Sequence, residues 1–112
     1  MIHPAVGTPP AIASKLMNVP FYRPCWVEVH TDALRQNLQA LRSRLSPGAQ
    51  VLAVVKANGY GHGLLAAALT AVEAGAVALG VASLEEGIAL RQEGFQVPVL
   101  TLGSLYPFDN FP

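Results

Sequence analysis

Apolar and polar positions become regular from Trp26 onward. Trp26, Val27 and Val29 form a short apolar run that predicts a strand. Leu34, Leu38, Leu41 and Leu45 then recur at helical spacing, with Thr31 or Asp32 available as the cap that opens the helix and Ser46, Pro47 and Gly48 closing it. Residues 50–55 (QVLAVV) are rich in valine and lack polar alternation, the pattern of a parallel strand buried on both faces. A glycine-bearing loop leads into 64–74, where Leu65, Ala68, Leu69 and Val72 share one helical face and Gly75 stands where a left-handed residue ends a helix. Residues 77–82 (VALGVA) read as the next buried strand. Ser83 with Glu86 forms a capping-box signature for a helix over 84–93, closed by Gly94. Residues 97–102 (VPVLTL) read as a third strand, with Pro98 tolerable near its start.

Strands alternating with helices through short loops imply right-handed crossovers and a parallel sheet, either an open doubly wound sheet or an arc of a (β/α)₈ barrel. The two differ in how much chain they need. A barrel takes about 250 residues, so three of its strands would leave raw edges and an uncovered interior.

Composition sharpens this. Of 112 residues, 52% are hydrophobic and only 12% charged, more apolar surface than a lone domain of this size covers, so a partner or a remainder of chain is expected. Seven Lys and Arg balance seven Asp and Glu without a basic stripe, which argues against a nucleic-acid or membrane-surface partner. The single Cys25 leaves no disulfide framework and no cysteine-based zinc site, and fits a cytoplasmic setting. Residues 1–24, broken by Pro4, Pro9, Pro10 and Pro20, lack the apolar run of a secretory signal and read as a flexible extension to a structured part over 25–112. The apolar stretch 63–84 carries Glu73 at its centre and a breaker at Gly75, so it reads as two buried elements of a soluble fold and not as a membrane span.

The segment with chemical content is 54–63, VVKANGYGHG. Strand alternation puts Leu52, Val54 and Lys56 on one face and Val51, Ala53 and Val55 on the other, so Lys56 ends an apolar strand on a face expected to be buried. An ammonium there snorkels to water, pairs with a carboxylate, or is desolvated into the state in which a lysine amine attacks carbonyls. The carboxyl end of a parallel strand is also where α/β folds place ligands. Gly59, Gly61 and Gly63 let the backbone turn tightly near a ligand, the following helix N-terminus can receive an anion, and Tyr60 adds a phenol. The same residues admit a loop that serves turn geometry alone, with Lys56 snorkelling. They also admit a dinucleotide fingerprint, Gly61, Gly63 and Ala66 with Glu85 or Glu86 as the ribose acid, although five residues separate its first glycine from the strand and Tyr60 and His62 crowd the turn. His62 is either a ligand contact or a structural part of the loop. His3, His30 and His62 are too scattered to bind a metal.

The string VVKANGYGHG resembles the pyridoxal phosphate attachment segment of bacterial alanine racemases, and the resemblance runs from WVEVHTDALRQNL through ASLEEGIALRQEG to VPVLTLG. It implies an α/β fold, the N-terminal part of a (β/α)₈ TIM-type barrel that is incomplete in this chain. It implies pyridoxal 5'-phosphate bound covalently to Lys56, Lys56 as one of two catalytic bases exchanging the α-proton of alanine, and Tyr60 against the cofactor phosphate. It further implies a homodimer in which a partner tyrosine supplies the second base, and D-alanine made for peptidoglycan precursors. Gly59 stands where many members carry alanine, a mild change in a turn, and His30 replaces an acidic residue usual after the first strand. The second base, the remaining phosphate ligands and the arginine facing the pyridine nitrogen correspond to positions beyond Pro112, so the 112-residue chain alone is expected to be inactive. A pyridoxal phosphate-binding barrel protein without racemase activity and a Rossmann-type dinucleotide module stand as the alternatives.

Overall fold

The structure, a computed structural model, describes residues 26–104; the expected extension over 1–24 lies outside the described residues. Among the described residues three helices and three strands alternate along the chain: α1 (Thr31–Arg42), β1 (Leu52–Val54), α2 (Leu64–Glu73), β2 (Ala78–Val81), α3 (Leu84–Gln92) and β3 (Val99–Thr101). A short left-handed turn, Lys56–Tyr60, stands between β1 and α2. The strands lie in the order β1-β2-β3 and are all parallel, with Val54 opposite Gly80 and Gly80 opposite Leu100.

The core lies between the sheet and the helices. Leu79 and Val81 of β2 and Leu90 of α3 are fully buried, and Val55, Ala68, Ala71 and Ala76 complete the cluster. Leu79 and Val81 sit on alternate positions of the central strand, so both point toward the helices. On α2 the buried positions are the small side chains Ala68, Thr70 and Ala71, and Thr70 Oγ1 donates to the Ala66 carbonyl at 2.7 Å, which satisfies its hydroxyl inside the packed layer. Helix α1 packs on α2 and is pinned there by the Arg35–Glu73 ion pair at 2.6 Å and by Arg42 Nη1, which donates to the Ala74 carbonyl at 2.8 Å.

Helices α2 and α3 stop in the same way. After α2, Gly75 at φ +102° donates to the Val72 carbonyl and Ala76 to the Ala71 carbonyl. After α3, Gly94 at φ +90° donates to Arg91 and Phe95 to Leu90. This pair of bonds satisfies carbonyls that the helix would otherwise leave open, as the glycines at these positions predict. Ser83 caps α3 by accepting the Glu86 N–H at 3.3 Å, again as expected.

Four expectations change. Trp26 to Val29 forms no strand: Trp26 and Val27 are 55% and 79% exposed, and a segment that buries so little apolar surface gains little from sheet pairing. The cap of α1 is His30 without a side-chain bond, the helix starting at Thr31 itself, and it ends at Arg42, so Leu45 lies past the helix and Leu41 is exposed. The run 50–55 is buried on one face only. Val51, Ala53 and Val55 face the helices, whereas Leu52 and Val54 share an open face with Leu100 and Leu102, all four between 38% and 51% exposed. Lys56 continues that open face and is half-buried, because no described element covers that side of the sheet.

Candidate active site

β1 ends at Val54, and Val55, buried, carries its N–H to the Gly80 carbonyl of β2 at 2.8 Å. Lys56 follows at the carboxyl edge of the sheet. Its side chain has no hydrogen-bond or ion-pair partner among the described residues, so of the three fates open to it in the sequence, pairing with a carboxylate is not the one adopted.

Beyond Lys56 the backbone enters the left-handed region for four residues in succession: Ala57 (φ 52°), Asn58 (φ 54°), Gly59 (φ 63°) and Tyr60 (φ 53°). For a residue bearing a Cβ this conformation costs roughly 1–2 kcal/mol. Ala57, Asn58 and Tyr60 all bear one, so the turn is maintained by surrounding bonds, the condition found most often at functional sites. Within the turn, the Gly59 N–H reaches the Val55 carbonyl at 2.8 Å and the Gly63 N–H the Asn58 carbonyl at 2.9 Å.

Two side chains hold it, one of its own and one from α3. Asn58 Oδ1 accepts the Leu64 N–H at 2.9 Å, so the turn itself caps the first N–H of α2. Glu86, from the first turn of α3, accepts the Ala82 N–H on one carboxylate oxygen at 2.8 Å and the Asn58 N–H on the other at 3.4 Å. The Ala82 N–H chiefly, then those of Asn58, Ser83 and Ala57, hold the Glu86 carboxyl below its ordinary range, against an opposing effect of partial burial.

Gly59 is buried where the turn meets α2, and a Cβ on it would stand 2.9 Å from the Ala67 Cβ. Two Cβ atoms do not stand that close, so an alanine there would make the turn or α2 shift, on top of the strain of its φ of +63°. Tyr60 is 60% exposed, with its phenol free to meet a ligand. His62 directs Nδ1 to the Gly59 carbonyl at 3.0 Å, which gives that ring nitrogen a place inside the loop. Lys56, Tyr60, Asn58 and Glu86 are thus gathered at one end of the sheet. Sequence reading names Glu86 only as a cap and as a possible ribose acid of the dinucleotide alternative, and gives Asn58 no role of its own. The capping box containing Glu86 and the left-handed tolerance of asparagine are the signals that point to them.

A parallel sheet with helices on one side, an open apolar face on the other and a lysine at its carboxyl edge has the form of the N-terminal part of a (β/α)₈ barrel. Residues 29–111 match the family described as alanine racemase, N-terminal domain, and the chain belongs to that family. It is 50% identical over 91 residues to the alanine racemase of Symbiobacterium thermophilum, covering 81% of this chain and 24% of that protein, and 51% identical over 89 residues to that of Geobacillus kaustophilus, covering 80% and 23%. It also superposes on the crystal structure of alanine racemase from Bacillus anthracis with bound L-Ala-P, with a TM-score of 0.73 at 43% identity over 77% of this chain and 22% of that one. The alanine racemase from E. faecalis gives a TM-score of 0.74 at 42% identity over 78% of this chain and 24% of that one. The chain spans about a quarter of the length of these relatives. Among the described residues no helix is long and apolar enough to cross a membrane; the stretch 63–84 divides among α2, β2 and the start of α3.

Proposed function

We propose that the protein to which this chain belongs interconverts L- and D-alanine with pyridoxal 5'-phosphate held on Lys56, and so supplies D-alanine for peptidoglycan precursors. The observation that carries this reading is Lys56 itself: an amine without a counter-ion among the described residues, at the carboxyl edge of a parallel sheet, followed at once by a strained turn, in a chain of this family.

The residues present suit the group. Lys56 offers a nucleophilic nitrogen that is paired with no carboxylate of the described residues. The Tyr60 phenol, exposed beside it in sequence, is a donor for a phosphate oxygen. The apolar face lined by Leu52, Val54 and Leu100, open in this structure, would form an apolar wall on that side once a completed barrel encloses it. Pyridoxal phosphate supplies an aldehyde that bonds covalently to an amine, and an electron-poor ring that accepts charge from a carbon losing its proton. With the group in place, Lys56 Nζ would be the base that holds and moves the α-proton of alanine on one face. A single base serves a single face, so inversion requires a second proton carrier opposite Lys56. By family resemblance it is a tyrosine of a second subunit, which makes the working enzyme a homodimer, active in the cytoplasm.

Purified native gene product should convert L-alanine to D-alanine, and Lys56→Ala should abolish it. Racemisation undiminished by Lys56→Ala would overturn the assignment.

A further inference from the structure

We infer that Glu86 is a positioning residue for Lys56: its carboxylate ties the left-handed turn that follows the lysine to the corner between β2 and α3. The inference rests on the reading of Lys56 given above and extends it to a residue that touches neither substrate nor cofactor.

Three observations carry it. The turn is unfavourable by itself, since Ala57, Asn58 and Tyr60 all hold positive φ. Its outward N–H at Asn58 meets Glu86 Oε1 at 3.4 Å, 28 residues away in sequence. The other oxygen, Oε2, is anchored at 2.8 Å on the Ala82 N–H, where the chain leaves the neighbouring strand. One carboxylate therefore bridges the carboxyl ends of two adjacent strands, and hydrogen bonds to an ionised acceptor are stronger than those between neutral groups. In an ordinary capping box the glutamate reaches back only to the N–H of its own cap residue. Here its two hydrogen bonds go to the residue before the cap, Ala82, and to the turn beyond Lys56, at Asn58. Because Asn58 Oδ1 simultaneously holds the first N–H of α2, the segment after the lysine is fixed between two helix N-termini. Lys56 has no side-chain bond of its own among the described residues, so its direction is governed by the backbone on either side of it: Val55, bonded to β2, and the turn held by Glu86.

The test compares amide hydrogen exchange in the native gene product, without cofactor, for wild type, Glu86→Gln and Ser83→Ala. Glu86→Gln keeps the size of the side chain but removes the charge and one of the two acceptors. Exchange over 57–63 is expected to rise about tenfold with 64–73 unchanged, as for the loss of a charge-assisted bond. Ser83→Ala, which removes only the α3 cap, should raise exchange over 84–87 and leave 57–63 alone. In cofactor-loaded protein, Glu86→Gln should also shift the pH at which the visible absorbance of the lysine-bound cofactor changes, a signal that loosening of α3 alone would not move. Wild-type protection over 57–63 in Glu86→Gln, or a change confined to 84–87, would overturn the inference. Should the Gln variant fold poorly, wild type lowered in pH gives the same answer: protection at Asn58 falls as Glu86 is protonated, and constant protection contradicts the tie. The exchange readout needs no cofactor, so its failure is distinct from a failure of wild-type Lys56 to take up pyridoxal phosphate, which borohydride labelling reports separately.

Discussion

The guanidinium of Arg42 lies against Gly75, in the space that a side chain at residue 75 would fill, and donates from Nη1 to the Ala74 carbonyl at 2.8 Å. One arginine on α1 thus finishes the last turn of α2 and covers the glycine that closes it, so the ends of two helices are locked by a residue with no neighbour in sequence. The glycine is required by its φ of +102°, and a side chain there would push the flexible end of Arg42 off Ala74.

Gly75→Ala is therefore expected to destabilise the protein by about 1–2 kcal/mol from the left-handed backbone alone, with more lost if Arg42 is displaced from Ala74. The urea midpoint of the native gene product measures this. A midpoint equal to wild type would show that the backbone relaxes at this position, contrary to the geometry.

The Glu86 carboxyl gives a pH dependence of definite sign. Its folded-state value lies below the ordinary 4.5 because backbone N–H groups, that of Ala82 first, favour the ionised form. The stability that this contributes is fully present above 4.5 and is lost as pH falls through the depressed folded-state value. Thermal melts from pH 6 downward should show wild type losing stability in the acid range, and Glu86→Gln lacking that part of the loss. Identical acid slopes in the two proteins would contradict the bonding described for Glu86.

The open face of the sheet makes a third expectation. Leu52, Val54, Leu100 and Leu102 present contiguous apolar surface on the side that a complete barrel encloses. A 112-residue polypeptide expressed by itself should bind hydrophobic dye or associate, and should not racemise alanine, since Lys56 would face substrate without an opposing base. Racemisation at a rate near that of the native gene product would contradict both points.

Much of this architecture is legible in the chain. The valine-rich runs around Val54 and Val81, the glycine stops at Gly75 and Gly94, and the Ser83 cap all match their places, because each is a local signal with a single structural meaning. Lys56 is legible as a departure from that pattern, a lysine ending an apolar strand, and it does stand at the carboxyl edge of the sheet. What sequence does not convey is which face of β1 is covered. Leu52 and Val54 are as apolar as Val51 and Val55, and only the side chosen by the helices separates them. The left-handed turn is equally hidden, since Ala57 and Tyr60 have no preference for positive φ and adopt it under tertiary constraint. Trp26 and Val27 mislead in the opposite direction, having strand propensity without a place in the sheet.

The most direct test of the account is borohydride reduction of the native gene product, followed by peptide mapping. The account predicts a reduced pyridoxyl phosphate group on the peptide containing Lys56 and on no other lysine. An unmodified Lys56, or the group attached elsewhere, would contradict it.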